Sequence, residues 1–502
     1  MTASSVRRFH GGVRGADMPR GSVLFEGRFG RMFRTLSPAT FSEAALNALG
    51  AAMIAPAEDP PTPETETDAE ENQGISAGYT YLGQFIDHDL TFDPLSSLIR
   101  QNDPQALTDF RTPRFDLDNV YGRGPDDQPY LYEPDGLHMQ LGRPMTGNPK
   151  DPGSRDLPRH VSMNGGPARA LIGDPRNDEN VIVSQLQATM LRFHNRMVDA
   201  NPGASLDEVQ RIVRWHYQFA VLNDFLPTIV GQDMVHSVLP HLKSGKSILH
   251  DRPVLQFYKW RNEPFIPLEF SVAAYRFGHS MVRPIYRLNA TIPRLAIFDP
   301  EGDNKSLTGF REFPSVWAVD WSLYFDMGNN APPNGVERVQ KAYKIDTSLV
   351  NPLGSLPPAV ASNPSSLAAR NLLRGLRLGL PSGQDVARAM GVVPLRDDQL
   401  KVGKATADDP PVAASITALP DVGDEFKGRA PLWYYVLAEA QQQFRDDATP
   451  IRLGPVGGRI VMETFAGILL GDSHSFLSQD PTWTPMNRDF KMADLIRMAT
   501  GV

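Results

Sequence analysis

The stretch "VIVSQLQATMLRFHNRM" constrains this chain most. Val183, Leu186, Met190, Phe193 and Met197 step by 3, 4, 3 and 4 residues, one apolar stripe along a long helix. "AALNALGAAMIA" repeats the pattern, with Leu46, Leu49 and Met53 on one face behind a capping box at Thr40 and Glu43. Strand-like alternation is scarce and no internal repeat is visible, so the expected class is mainly α. Between the helical segments lie irregular connections: 41 glycines and 44 prolines make about one residue in six, against a usual one in eight. The clearest is the acidic stretch 56–76, seven acids and no base, expected to be a solvent-facing loop. Others span 145–169 and "MGNNAPPNGVER". A length of 502 residues suggests roughly three domains as a prior. No linker separates distinct cores, however, and the expectation is an N-terminal arm (1–26) followed by one large, loop-rich helical domain (27–502).

Composition narrows the chemistry. A net charge of −8 gives no basic face for nucleic acid, and no apolar run approaches the ~20 residues of a membrane span. The basic N-terminus lacks the apolar core of a secretory signal, which leaves the cytoplasm or an export route without a signal peptide. There is no cysteine. Disulfides, thiolate zinc sites, Fe–S clusters and thiolate-ligated or CxxCH-attached haem are therefore excluded. Eleven histidines and the carboxylates must carry any metal chemistry, and a monomer is expected.

Three segments hold polar residues that apolar helices do not need. In "GQFIDHDLTFDP", His88 lies between Asp87 and Asp89. Neighbours on a helix point about 100° apart, so each needs its own partner, whereas Gln84 and His88 share a face. "GDPRNDEN" (173–180) leads into the striped helix, with Asp174 as a candidate N-cap. In "LEFSVAAYRFGHSMVRP", Val272, Arg276, His279 and Arg283 fall on one helical face. Singly each is weak. A lone helical histidine is more often a core residue than a ligand, and "DHD" as a metal-hydrolase fragment lacks further ligands such as H-E-x-x-H.

In this order they are specific. With "RFDLDNVYG" and "LAARNLLRGLRLGLPSGQ", the chain resembles the animal-type haem peroxidases of the peroxidase–cyclooxygenase superfamily, in their bacterial branch, from Gly27 to Leu477. The resemblance implies a haem b between a distal and a proximal helix. His279 matches the proximal iron ligand and Asn371 the acceptor of its second ring N–H. An amide accepts more weakly than a carboxylate, so the ligand stays less imidazolate-like and the site more oxidising. Arg276 and Arg374 match positions beside the haem propionates. His88 matches the distal acid–base that moves the peroxide proton on the way to a ferryl state, Arg176 the distal cation, and Gln84, on the same face, the hydrogen-bond partner of the distal water or incoming anion.

Asp87 and Glu179 match the acids that form haem esters in mammalian members. Asn180 stands where some of those have a methionine that makes a third link, which turns the expected donors from chloride to bromide, iodide, thiocyanate or phenols. Asp89 with Thr112, the Arg114 carbonyl, Asp116 and Asp118 matches a calcium site. The implied activity is reduction of hydrogen peroxide, with a place in the response to oxidative stress. Two rivals remain. A fatty-acid dioxygenase would need a tyrosine three residues before the proximal histidine; that position is Arg276, with Tyr275 one step off and so about 100° round a helix. An adhesion or scaffold protein of the same fold would not need Gln84, His88, Arg176, His279 and Asn371 together.

Overall fold

The computed structural model describes residues 27–57, 66–91, 108–109, 111–162, 165–260, 263–298, 306–328, 331–357, 363–405, 416–444 and 449–501. It is mainly helical, with a few short two- and three-stranded pairings. The arm 1–26 and residues 58–65 of the acidic stretch 56–76 fall outside these residues. One apolar cluster runs through the described chain from Phe29 to Ala499. Among the described residues no helix is long and apolar enough to cross a membrane.

The striped helix, Val181–Ala200, forms the middle of the molecule. Its apolar stripe is buried, but so are Ser184, Gln185, Gln187, Thr189, Arg192 and His194 on its other faces. The irregular segment that precedes it supplies partners for two of them: Arg192 holds Asp151 at 2.6 Å, and Gln185 donates to the Arg155 carbonyl at 3.0 Å. A loop thus does what a second layer of helices does elsewhere, and periodicity alone could not reveal it.

Three expectations need correction. Helix Glu43–Ala52 is capped by Ser42, whose hydroxyl accepts from Ala45 N, not by Thr40; Leu46, Leu49 and Met53 are fully buried as expected. The end of the acidic stretch is not a solvated loop. Residues Glu71–Ser76 form a strand paired antiparallel with Lys341–Tyr343. Glu71 is 2% exposed and clamped by Arg283 (2.9 Å) and Arg338, two buried cations distant in sequence. Finally, 272–283 is not one helix. Glu269–Ala273 is a π turn and Ala274–His279 a 3₁₀ turn, broken at Ala273 (φ −128°, ψ −77°), and Arg283 lies beyond it in the Glu71 cluster. Arg276 and His279 still share a face, because a 3₁₀ turn eclipses residues three apart.

Helix Gly78–Leu90 carries "GQFIDHDL". It has no capping side chain; the Ala77 and Gly78 N–H groups instead donate to the carbonyls of Gln340 (2.8 Å) and Tyr324 (3.0 Å). A Cβ on Gly78 would stand 2.5 Å from the Tyr324 oxygen, so only glycine permits this anchorage. The helix start is therefore fixed by backbone, and its far end by charge, as described next.

Candidate active site

A cavity of about 380 Å³ lies inside the fold, lined by Gln84, Asp87 and His88 from helix Gly78–Leu90, by Arg176, Glu179 and Asn180, and by Tyr275 to His279. Segments more than ninety residues apart in sequence meet here. Asn371 and Arg374 stand behind it on helix Leu367–Arg377.

His88 is 5% exposed, and its Nδ1 lies 2.6 Å from Asn177 Oδ1. Burial, then the Arg176 cation, lowers its imidazole to about 4, so the ring is neutral at ordinary pH. With Nδ1 donating to the amide oxygen, Nε2 keeps a lone pair. The Glu179 carboxylate is 3.9 Å from that Nε2. Glu179 is about one-third exposed where it lines the cavity, and burial of the rest raises it to about 7.

Gln84 donates to Glu179 and accepts from Asn180 Nδ2 at 3.1 Å. Its amide is therefore engaged with these two side chains, where the sequence led us to expect it turned to a small ligand. Asn180 Oδ1 accepts from Val183 N at 2.9 Å and caps the central helix. This gives the asparagine a local reason that a methionine could not serve.

Arg176 reaches the end of the distal-type helix. Its guanidinium donates to the carbonyls of His88 (3.3 Å) and Thr91 and pairs with Asp174 at 2.8 Å. A cation at a helix C-terminus is favourable, so Arg176 secures the turn that carries His88 as well as lining the cavity. Asp174, buried between Arg111 (2.7 Å) and Arg176, is held well below the usual carboxylate range by those cations, whose pull outweighs its burial. Asp174 also caps the 3₁₀ turn Pro175–Asp178, as the sequence suggested.

On the other wall, burial and then Arg276 lower His279 to about 3. Asn371 sits 2.7 Å from its Nδ1, but the amide is reversed from the expected arrangement: Nδ2 faces the ring, and Oδ1 accepts from Arg276 at 3.4 Å. Arg276 competes for the oxygen that His279 was expected to use. Arg276 itself is lowered to about 10 by burial and by the neighbouring Arg374 cation. Two guanidiniums crowded beside one cavity make an environment that welcomes anionic groups. Trp433 Nε1 donates to the Arg276 carbonyl at 3.2 Å and steadies the turn.

The expected calcium ligands are less tightly assembled. Asp89, Asp116 and Asp118 are at most 5% exposed. Asp89 and Asp116 both raise the buried Tyr217 phenol, after burial itself, which puts them near one ring. Thr112 donates to Asp116 at 2.6 Å. Arg114 pairs its side chain with Asp472 at 3.5 Å. Among the described residues no group of three or more His, Asp or Glu is gathered closely enough to hold a metal ion.

Sequence reasoning missed Asn177, Gln187, Asn119 and Arg111, ordinary polar positions until their burial is known. It also set Tyr275 aside. Tyr275 reaches the cavity, and its hydroxyl donates to the Gly83 carbonyl at 3.2 Å.

The sequence model of the animal haem peroxidases matches residues 96–397. The chain belongs to that family. The match contains Arg176, Glu179, His279 and Asn371, while Gln84, Asp87, His88 and Asp89 precede it. Chorion peroxidase of Drosophila melanogaster is 31% identical over 236 residues, 44% of this chain and 26% of that protein. Thyroid peroxidase of Rattus norvegicus is 25% identical over 255 residues, 47% and 25% respectively. The matches thus span about a quarter of those family members. Among solved structures, peroxidase A from Dictyostelium discoideum superposes with TM-score 0.57 at 16% identity, covering 94% of this chain and 93% of that one. The fatty acid alpha-dioxygenase of Arabidopsis thaliana gives 0.52 at 15% identity, covering 93% and 74%. Both share the fold of this animal haem peroxidase family member.

Proposed function

We propose that the protein is a haem-dependent peroxidase that reduces hydrogen peroxide and oxidises iodide, bromide, thiocyanate or phenolic donors. One observation carries the reading: two histidines from remote segments, both kept neutral by burial, border one cavity beside a pair of crowded guanidiniums. A neutral imidazole is the form that binds iron or takes a proton, and cations suit propionates. His279 would hold the iron, Asn371 would orient that ring, and Arg276 and Arg374 would face the propionates. Bound haem supplies the electrons that cleave the peroxide O–O bond. His88 Nε2 accepts the peroxide proton and returns it to the departing oxygen, and Arg176 offers positive charge where negative charge develops.

Asp87 and Glu179 border the same cavity, and either acid could become an ester to the porphyrin. Acid–organic extraction after peroxide treatment should leave haem on the polypeptide; full release refutes the esters. Asp89, Thr112, the Arg114 carbonyl, Asp116 and Asp118 offer hard oxygens of the kind calcium takes, and the ion would tie the 111–118 segment to the helix that carries His88. Chelation should lower the melting temperature if it does.

The test of the main reading is turnover. Purified protein with hydrogen peroxide should oxidise guaiacol, iodide and thiocyanate; an inert protein with a normal haem spectrum would instead support the scaffold role. The position of Tyr275 at the cavity favours one second reading, fatty-acid dioxygenation. Oxygen uptake with linoleate that disappears in Tyr275→Phe would establish it, and no uptake removes it.

A further inference from the structure

Four buried polar residues form a closed circuit on the helix that carries His88. His88 Nδ1 meets Asn177 Oδ1 at 2.6 Å, Asn177 Nδ2 donates to Gln187 Oε1 at 2.9 Å, and Gln187 Nε2 donates to the Asn119 backbone carbonyl at 3.1 Å. The Asn119 side chain then donates to the carbonyl of Phe85, one turn before His88. Asn177, Gln187 and Asn119 are all 0% exposed.

The polarity of the amides is set by the Asn119 backbone carbonyl. A carbonyl only accepts, so Gln187 must present its NH₂ to Asn119. Its oxygen then faces Asn177, which must present NH₂ in turn, and that leaves the Asn177 oxygen for the imidazole. An amide oxygen facing a ring nitrogen requires that nitrogen to bear hydrogen. Reversing any amide would oppose two donors or two acceptors in a site without solvent, a costly arrangement.

We infer that Asn177 and Gln187 are positioning residues that fix the ring proton of His88 on Nδ1 and so deliver the Nε2 lone pair to the cavity. This rests on the peroxidase reading for its catalytic meaning, but not for its structural content. The circuit also explains why asparagine, and not merely any small residue, follows Arg176. Asn119 opens the chain at the end of the 111–118 segment, so the orientation of the base is linked to the segment proposed to hold calcium.

Two measurements test it. In ¹⁵N-histidine-labelled protein, reduced under carbon monoxide to keep any haem diamagnetic, the His88 ring should show hydrogen on Nδ1, assigned by loss of the signal in His88→Gln. A wild-type ring protonated on Nε2 overturns the proposal whatever the variants do. In Asn177→Leu the ring should lose that single tautomer. The second-order rate of reaction with peroxide should fall about 10–100-fold, less than the ~10⁴ lost by an imidazole held wholly in the wrong tautomer. The KM of the reducing donor should not change. Asn177→Asp still accepts from Nδ1–H but sets a second acceptor against Gln187 Oε1, so it should keep the Nδ1 tautomer and recover only part of the rate. An Asn177→Leu protein with an unaltered tautomer and rate contradicts the inference. A protein that takes no haem or ignores peroxide defeats the peroxidase reading instead, and the ring-proton measurement on the purified chain still decides this one.

Discussion

The two histidine walls of the cavity are built on different plans. His88 rides a regular helix whose start is tied by backbone to Gln340 and Tyr324, whose end is held by Arg176, and whose ring is oriented through amides that terminate on a carbonyl. His279 ends a short 3₁₀ turn that follows a π turn, and its partner Asn371 divides its amide between the ring and Arg276. One imidazole has its proton assigned by the fold. The other has a partner that can present either end, since no backbone group dictates which. An acid–base must offer the correct nitrogen before substrate arrives. A ligand can have its tautomer settled by the metal it binds, with Asn371 turning its oxygen to the ring and releasing Arg276 to an anion. On the proposed roles, rigidity would lie where the chemistry needs it beforehand.

The comparison can be broken first at His88. His88→Gln should lower the peroxide reaction about 10²–10⁴-fold, the usual value of a positioned acid–base, while leaving the haem spectrum in place. In the wild type the same rate should fall as pH drops through about 4, since protonation removes the base, and be level above it in this group. The sign for stability follows from linkage. His88 is lowered in the fold, so the unfolded chain takes up a proton below about 6.5 that the native state refuses, and stability should decline from there toward pH 4. A melting temperature that rises over that interval on His88→Gln relative to wild type is the matching calorimetric result.

Asn371→Asp sharpens the other side. A carboxylate only accepts, so the ambiguity at His279 is removed, the ligand becomes more imidazolate-like, and the ferric state is favoured. Iodide oxidation should fall about 10–100-fold, the range seen when a ligand's outer partner is altered, with a lower reduction potential as the accompanying readout. An unchanged potential means that Asn371 does not act on the ring. The smallest effect is expected at Tyr275→Phe, which removes the hydrogen bond between the two walls at Gly83. A loss of about 0.5–1.5 kcal/mol in denaturant unfolding, with peroxidase turnover retained, is the expected outcome.

Much of this arrangement was legible from residues alone, and the reason is local. Gln84 and His88 share a helical face, and Arg176 and Glu179 share one short motif, so their order along the chain carried the information that they meet at one cavity. What stayed hidden depends on contacts that span the sequence. Glu71 looked like part of a solvated acidic run because its partners, Arg283 and Arg338, lie more than two hundred residues away. Gln187 looked like the wet face of an amphipathic helix because nothing in a periodicity shows that a loop will cover it. Asn177 looked like a turn residue. The break at Ala273 was invisible for a different reason: "EFSVAAYRFGH" has the spacing of an α-helix, yet its first part is wound more loosely and its second more tightly than one.

The most direct test is a haem titration of the purified full-length protein, followed by its absorption spectrum, alongside His279→Ala and His88→Ala. The account predicts one haem per chain in the wild type, retained in His88→Ala and lost or spectrally altered in His279→Ala. Haem binding that survives His279→Ala unchanged, or that depends on His88 instead, would contradict it.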